Sequence, residues 1–182
     1  MVTHQGTQVL TTARLTLRPF TMDDAPAMFT NWASDPEVTK FLMWPTHTSV
    51  EVSQWVCNDW VSHYAEHDYY QWAIVYDGQP VGSMAVVNHD DRVGKAEIGY
   101  CIGRSWWHMG IVSEALKAVM DFLFDEVGCD RIEARHDPRN PHSGNVMKKC
   151  GMKYEGTLRQ SDRNNQGICD AAWYGILRED RV

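Results

Sequence analysis

The chain is short of several things, and each shortage closes off a class of function. It has no long apolar run. A membrane-spanning helix needs about 20 apolar residues in succession, so none is expected and membrane partners are set aside. The N-terminus lacks a charged stretch followed by an apolar one, so no secretory signal is expected, and Val2 rather than glycine follows Met1, which excludes N-myristoylation. Positive charge is scarce. Against 24 Asp and Glu stand 17 Lys and Arg, a formal net charge of −7 with a pI near 5.5. General nucleic-acid binding needs a basic face and is excluded on that ground. Cysteines number five, an odd count with no C-x-x-C spacing, which fits neither a disulfide framework nor a zinc site. Free thiols buried in a reducing compartment are the expectation, and the cytoplasm is the expected location. The chain holds no G-x-G-x-x-G, no G-K-[ST] and no H-E-x-x-H. His63 and His67 share a helical face, but Tyr64-Ala65-Glu66 between them is not the zinc-protease pattern, and no metal is expected. Repeats, linkers and low-complexity tracts are also missing.

What is present suits a globular enzyme. The 182 residues are 43% apolar, enough for a sizeable core, and read as a single domain over 1–182 with residues 1–12 a polar tail. The eight tryptophans read mainly as core. The alternating stretch from Arg14 to Phe20 predicts a first strand, and Ala25 to Trp32 a short helix closed by Ser34-Asp35-Pro36. A second helix is expected from Ser49 to about His67, with Trp55, Val56, Trp60 and Tyr64 on its buried stripe. Gln71 to Tyr76 and Pro80 to Asn88 read as a hairpin through Asp77-Gly78, with a bulge at Gly82. Arg131 to His136, Lys153 to Arg159 and Cys169 to Leu177 are further strands. Pro141 suits the first position of a short helix that Asn140 caps and Gly151 ends.

The most informative stretch runs from Glu97 to Leu116, E-I-G-Y-C-I-G-R-S-W-W-H-M-G-I-V-S-E-A-L. Ile98, Tyr100 and Ile102 alternate as in a strand. Leu116, Val119, Leu123 and Val127 then fall on one helical face, with Ala115 and Phe122 beside them, over a helix from about Val112 to Val127 that Gly128 ends. A loop opening straight into a helix aims free N–H groups at whatever lies before it, which favours an anion such as a diphosphate. Gly110 lets the backbone approach where a Cβ would intrude. Arg104, His108, Arg139, Lys148 and Lys149 lie close enough in sequence to supply local positive charge. An acidic protein otherwise suits a cationic acceptor such as an amine.

The loop Trp107-His108-Met109-Gly110-Ile111-Val112 resembles the pyrophosphate loop, Q/R-x-x-G-x-G/A, of the GCN5-related N-acetyltransferases (GNAT). Only the middle glycine is kept; Trp107 replaces Gln/Arg and Val112 replaces the last Gly/Ala. The flanks A-E-I-G-Y-C-I-G and S-E-A-L, with D-P-R-N-P-H-S-G-N-V-M-K-K-C-G-M-K-Y-E-G-T-L-R further on, resemble the branch that acetylates ribosomal-protein N-termini. The resemblance runs from Ala13 to Leu177. It implies a mixed α/β (α+β) fold: a mostly antiparallel, seven-stranded sheet with one splayed parallel pair and helices on both faces. It also implies acetyl-CoA as co-substrate, held by Tyr100, Cys101 and Ile102 of the central strand, by Trp107 to Ser113 of the loop, and by Asn140, Ser143 and Lys149. A protein α-amine is the implied acceptor, with a small amine, a polyamine or an antibiotic as the alternative. A non-catalytic acyl-CoA-binding module is the competing reading, and a homodimer is left open.

Acetyl transfer needs a neutral amine, a stabilised oxyanion and a proton for the leaving thiolate. An α-amine with a pKa near 8 is mostly protonated at neutral pH, so a base is useful. Glu97 is the first candidate. Asp162, where the resembled branch carries a glutamate that can hold a water, is the second. His136 at a strand end is a third. Ser143, in a first helical turn after Asn140, is the candidate proton donor to sulfur.

Overall fold

The computed structural model describes residues 1–181. Their strands form one eight-stranded sheet in the order β1-β2-β3-β4-β5-β6-β8-β7, made of β1 Leu10–Thr11, β2 Leu15–Arg18, β3 Gln71–Tyr76, β4 Gln79–Asp90, β5 Lys95–Ile102, β6 Arg131–His136, β7 Lys153–Asn164 and β8 Gly167–Leu177. All neighbours are antiparallel except β5 and β6. The expected sheet has one strand fewer. The extra one is β1, inside the segment read as a tail, where Leu10 pairs with Leu17 and packs on the core.

Local chemistry explains most of the elements. In β2, Leu15 and Leu17 are buried while Thr16 and Arg18 are not, the signature of a strand with one face on the core. Asp77 and Gly78 both take positive φ, 48° and 77°, which matches the right-handed twist of the hairpin strands. The β3–β4 register passes from Ile74↔Gly82 to Val75↔Pro80, so the extra residue of the bulge is Val81, beside Gly82. The β7–β8 hairpin is longer than expected, and its turn narrows to Asn165-Gln166.

Short helices α1 Ala25–Met28 and α2 Pro36–Thr39, then α3 Val50–His63, cover one sheet face. Helix α2 begins where a stop was expected. Asp35 accepts a hydrogen bond from the Glu37 N–H at 3.0 Å and Pro36 takes the first helical position, so Asp-Pro starts a helix here. Along α3 the inward stripe is Ser53, Cys57, Trp60 and Tyr64. Trp55 lies out of phase with it and is 72% exposed, so it is not a stripe residue.

The other face is packed by α4 Ile111–Phe122 and α5 Pro141–Lys149. Helix α4 runs on through a wider turn, Leu123–Val127, to Gly128 at φ 86°. Ala115, Leu116, Val119, Phe122, Leu123 and Val127 are all buried, as their spacing predicts, against Trp72, Ile98 and Ile132 of the sheet. The helix supplies much of the apolar surface packed on this face, so truncating its buried residues is expected to be costly.

Leu116→Ala should destabilise the protein by about 2–5 kcal/mol, because it opens a cavity in a side chain that is fully buried. Trp55→Ala should stay within about 0.5 kcal/mol of the parent. Urea unfolding curves of the two variants measure both.

Candidate active site

The parallel ladder between β5 and β6 is short. It pairs Lys95 with Arg131, Ala96 with Ile132 and Glu97 with Glu133, and then stops. Beyond Glu97 the two strands diverge, leaving the edge of Ile98 to Ile102 without a partner on the β6 side. The Gly103 N–H donates to Val81 O at 2.8 Å on the β4 side. Peptide groups alternate along a strand, so those of Tyr100 and Ile102 face the open side. The peptide of Cys101 turns toward β4, and its thiol lies 3.3 Å from the Ser83 hydroxyl, buried, with burial raising its pKa. Of the three strand residues, Tyr100 and Ile102 therefore present backbone to the gap and Cys101 does not.

At the far end of β5 the loop from Arg104 turns into α4. The Trp107 indole N–H donates to the Ile102 carbonyl at 3.1 Å, tying the loop back to the strand end. His108 and Gly110 both take left-handed φ, 62° and 75°. Gly110 sits at the N-cap of α4, and the N–H groups of the first turn, Ile111, Val112 and Ser113, point out of the helix end. The side chains of Ile111 and Val112 belong to the core, and Ser113 Oγ donates to Gly110 O at 3.0 Å, so these three offer backbone rather than side-chain donors.

A Cβ placed on Gly110 would stand 3.5 Å from an Arg14 guanidinium nitrogen and 3.6 Å from Lys149 Nζ. Two cations thus flank the glycine. Lys149 was expected there; Arg14 was not. Arg14 is held by the Glu114 carboxylate, 2.7 Å from its Nε, and donates through Nη1 to the Met109 carbonyl at 3.0 Å. Nothing in the local sequence marks it, because its partner is a hundred residues away. The other cations read from sequence go elsewhere. Arg104 pairs with Asp35 at 2.9 Å, Arg139 with Asp137 at 2.6 Å, and Lys148 lies over the Tyr174 ring. His108 stays at the loop, edge-on to His142.

The candidate chemical groups divide between the two sheet faces. Tyr100 projects to the α5 side. Its hydroxyl lies 3.0 Å from the Ser143 carbonyl and 3.1 Å from Ser143 Oγ, so strand and helix are bridged across the gap. Asn140 occupies the N-cap position of α5 without a side-chain capping bond, which leaves its amide free of that task. His136 is on this same side, with Nδ1–H donating to Asp137 O at 2.8 Å. A Cβ on Gly144 would lie 2.5 Å from His136 Nε2, so the ring is pressed against α5 and away from Glu97.

Glu97 and Asp162 lie on the opposite face, joined by a residue that sequence reading passed over. Arg135 donates from Nη1 to Glu97 and from Nε to Asp162 Oδ2, the latter at 2.6 Å. Its guanidinium also lies 5.2 Å from the Trp173 ring centre. Asp162 sits within β7 rather than in a loop, just past an irregularity where Gln160 takes φ 51°. Glu97 is buried, and burial raises its carboxyl pKa against the opposing pull of Arg135. A guanidinium between two carboxylates leaves the cluster with a net negative charge. Lys95, Arg131, Glu133 and Glu155 extend the charged row along this face.

The chain matches the acetyltransferase (GNAT) domain over residues 14–153. It is a GNAT-family acetyltransferase. An uncharacterized N-acetyltransferase, p20, of Bacillus licheniformis is 30% identical over 176 residues, 95% of this chain and 98% of its own. Among solved structures, a ribosomal L7/L12 alpha-N-protein acetyltransferase in complex with coenzyme A superposes with a TM-score of 0.85 at 19% identity, over 96% of this chain and all of its own. The microcin C7 self-immunity acetyltransferase, in complex with acetyl-CoA and AMP, superposes at 0.82 and 19%, over 91% and 93%. Identities this low speak for the fold alone. Among the described residues of the acetyltransferase, no helix is long and apolar enough to cross a membrane.

Asp137 anchors the hairpin that carries Asp162. Its buried carboxylate takes hydrogen bonds from Arg139 and from the Asn164 amide at 2.9 Å. Burial alone would raise its pKa; the bonds from Arg139 and Asn164 outweigh that and hold it at about 2. A carboxyl with a lowered folded pKa stabilises the fold above its ordinary pKa, and that contribution disappears as pH falls from near 4 toward 2. Asp137→Asn should cost roughly 1–2 kcal/mol at pH 7 and much less near pH 2. Thermal melts of parent and variant at both pH values give the comparison.

Proposed function

We propose that this GNAT enzyme carries an acetyl group from acetyl-CoA to a primary amine, and that the acceptor is a protein N-terminal α-amine. The observation that carries this is the sorting of groups about the parted strands. Anion-binding elements lie at the α4 end, and a carboxylate pair lies on the face opposite Ser143. Acetyl-CoA supplies the thioester. The α4 N-terminus, Arg14 and Lys149 suit its diphosphate, and the open edge of β5 suits an extended arm that pairs with backbone.

On the acceptor side an incoming ammonium is drawn to the net negative charge of Glu97, Arg135 and Asp162. Glu97, directly or through a water that Asp162 orients, removes the proton so that nitrogen can attack the carbonyl. The N–H groups of Tyr100 and Ile102 are the donors for the developing oxyanion. Ser143, oriented by Tyr100, gives its hydroxyl proton to the leaving sulfur and is reprotonated by the second proton that the nitrogen sheds as the tetrahedral intermediate collapses. Arg135 keeps the two carboxylates in place and pulls the Glu97 pKa back toward the ordinary range. The resemblance of the motifs to the ribosomal-protein branch supports a protein acceptor, and a small-molecule amine is the alternative acceptor. Five buried free thiols suit the reducing interior of a cell.

Loop and carboxylates are tested separately. Gly110→Asp should abolish CoA binding with the fold intact. Arg14→Gln combined with Lys149→Gln should weaken it by about tenfold or more, each being a charge-assisted contact. Unchanged CoA affinity by calorimetry in both proteins would remove the loop from the site.

Turnover, followed as free thiol released from acetyl-CoA with a panel of N-terminal peptides and small amines, reads the rest. Glu97→Gln should lower the rate by roughly a hundredfold to ten-thousandfold at pH 7, with the loss shrinking as pH rises and the amine deprotonates by itself. Arg135→Gln should shift the acidic limb of kcat/KM to higher pH, since Glu97 then keeps burial without its cation. Ser143→Ala should show a smaller loss of kcat that shrinks further when the leaving thiol is more acidic. Wild-type turnover in Glu97→Gln would transfer the base to Asp162.

A further inference from the structure

Far from the parted strands, the N-terminal segment crosses the molecule as a strap. Thr3 N–H donates to Val127 O at 2.7 Å, Gly6 N–H to His67 O at 2.7 Å, and the Trp72 indole to Gln8 O at 2.7 Å. His4 hangs from this strap over the end of the β4–β5 hairpin. Its ring lies edge-on to His89, with centres 4.8 Å apart. His4 Nε2 is 3.2 Å from both Asp91 oxygens, and His89 Nδ1 is 3.0 Å from Asp91 Oδ1. The three potential ligand atoms all lie within 4.8 Å of one another.

We propose that His4, His89 and Asp91 bind a divalent d-block cation, with zinc the best fit, and that the ion clips the strap to the hairpin. Three features carry this. The first is spacing. Zinc–nitrogen and zinc–oxygen bonds of about 2.0–2.1 Å imply tetrahedral edges of about 3.3–3.4 Å, and the two imidazole–carboxylate separations, 3.2 and 3.0 Å, lie close to that. The second is the state of the remote ring nitrogens. A ligating imidazole donates its other N–H to an oxygen; the His4 ring has one at hydrogen-bond distance, and the His89 ring has a carboxylate within ion-pair reach. His4 Nδ1 is 3.0 Å from the Tyr70 hydroxyl, which the Gln5 N–H also fixes at 3.1 Å, and His89 Nε2 is 3.8 Å from Asp68 Oδ2. The third is the donor set. Two imidazoles and a carboxylate match zinc, and solvent at the exposed fourth position completes a tetrahedron.

Without the ion, His4 Nε2–H and His89 Nδ1–H can donate to Asp91. Metal entry moves each ring proton to the remote nitrogen, toward Tyr70 and Asp68, and frees both lone pairs. Neutral rings are required for ligation. The ion takes no part in acetyl transfer. Its role is to fasten residues 1–9 onto the hairpin that leads into β5.

The test uses the tag-free full chain, stripped with a chelator and titrated with zinc by calorimetry and with cobalt by its visible absorption. The expected result is one ion per chain with a dissociation constant near micromolar, a melting temperature raised by a few degrees, and slower amide exchange at residues 3–8. His4→Gln, His89→Gln and Asp91→Asn should each weaken binding at least tenfold. The pair His108→Gln and His142→Gln, which removes the other close histidine couple, should leave metal affinity unchanged. Absence of binding up to millimolar zinc would overturn the proposal. So would binding that survives His4→Gln and His89→Gln but is lost on removing His108 and His142.

Discussion

A parallel pair of strands that parts after its first rungs is the constraint on which everything else in this molecule depends. Hydrogen bonding between β5 and β6 is satisfied only up to Glu97 and Glu133. Beyond that point each strand keeps its outer neighbour, β4 or β8, and loses its inner one. An unpaired backbone edge inside a protein is costly unless something pairs with it. Here the edge is kept open by side chains that span it. Tyr100 reaches Ser143 from one face, and Arg135 reaches Glu97 and Asp162 from the other. The gap is thus propped on both sides rather than collapsed.

The charge distribution follows from the same geometry. A protein of net charge −7 that handles an anionic co-substrate must confine its cations. It does so with Arg14 and Lys149 at the α4 entrance, while four other basic side chains near the motifs or the carboxylates, Arg104, Lys148, Arg139 and Arg135, are held by carboxylates or an aromatic ring. Glu114 holds Arg14 through its carboxylate. Around Arg135 two carboxylates, Glu97 and Asp162, face one guanidinium.

How far this was legible in the sequence depended on the range of the interaction involved. The strand, loop and helix from Glu97 onward announce themselves through a change of period from two to near 3.6, and the buried face of α4 is the one its spacing predicts. The parallel β5–β6 pair follows from a helix joining two strands. Arg14 and Arg135 were not legible, since their neighbours are set by folding and not by nearby residues. The unforeseen helix at Pro36, directly after the expected stop at Ser34, and the misreading of Trp55 have local causes. An Asp-Pro pair serves equally as a helix stop and a helix start, and a tryptophan one position out of phase still looks apolar in a list. The strand at Leu10–Thr11 is too short to show a period. His136 was read correctly as a strand end; its face follows from alternation with Ile132 and Ala134, and the missing Cβ of Gly144 gives its ring room against α5.

The guanidinium between Glu97 and Asp162 has a consequence for what happens after the reaction. On the proposed chemistry, the empty cluster carries one uncompensated negative charge, and a protonated amine neutralises it on arrival. Once acetylated, the same nitrogen is an uncharged amide and can no longer take part in that balance. When Glu97 gives up its captured proton to solvent, the original deficit returns, and the product has nothing to offer it. Attraction on entry and indifference on exit are then the same property seen at two times, and product turnover needs no moving lid to drive it. The arginine makes this sharper by cancelling half of the field: with two bare carboxylates the site would hold any nearby cation too long, and with none it would hold no amine at all.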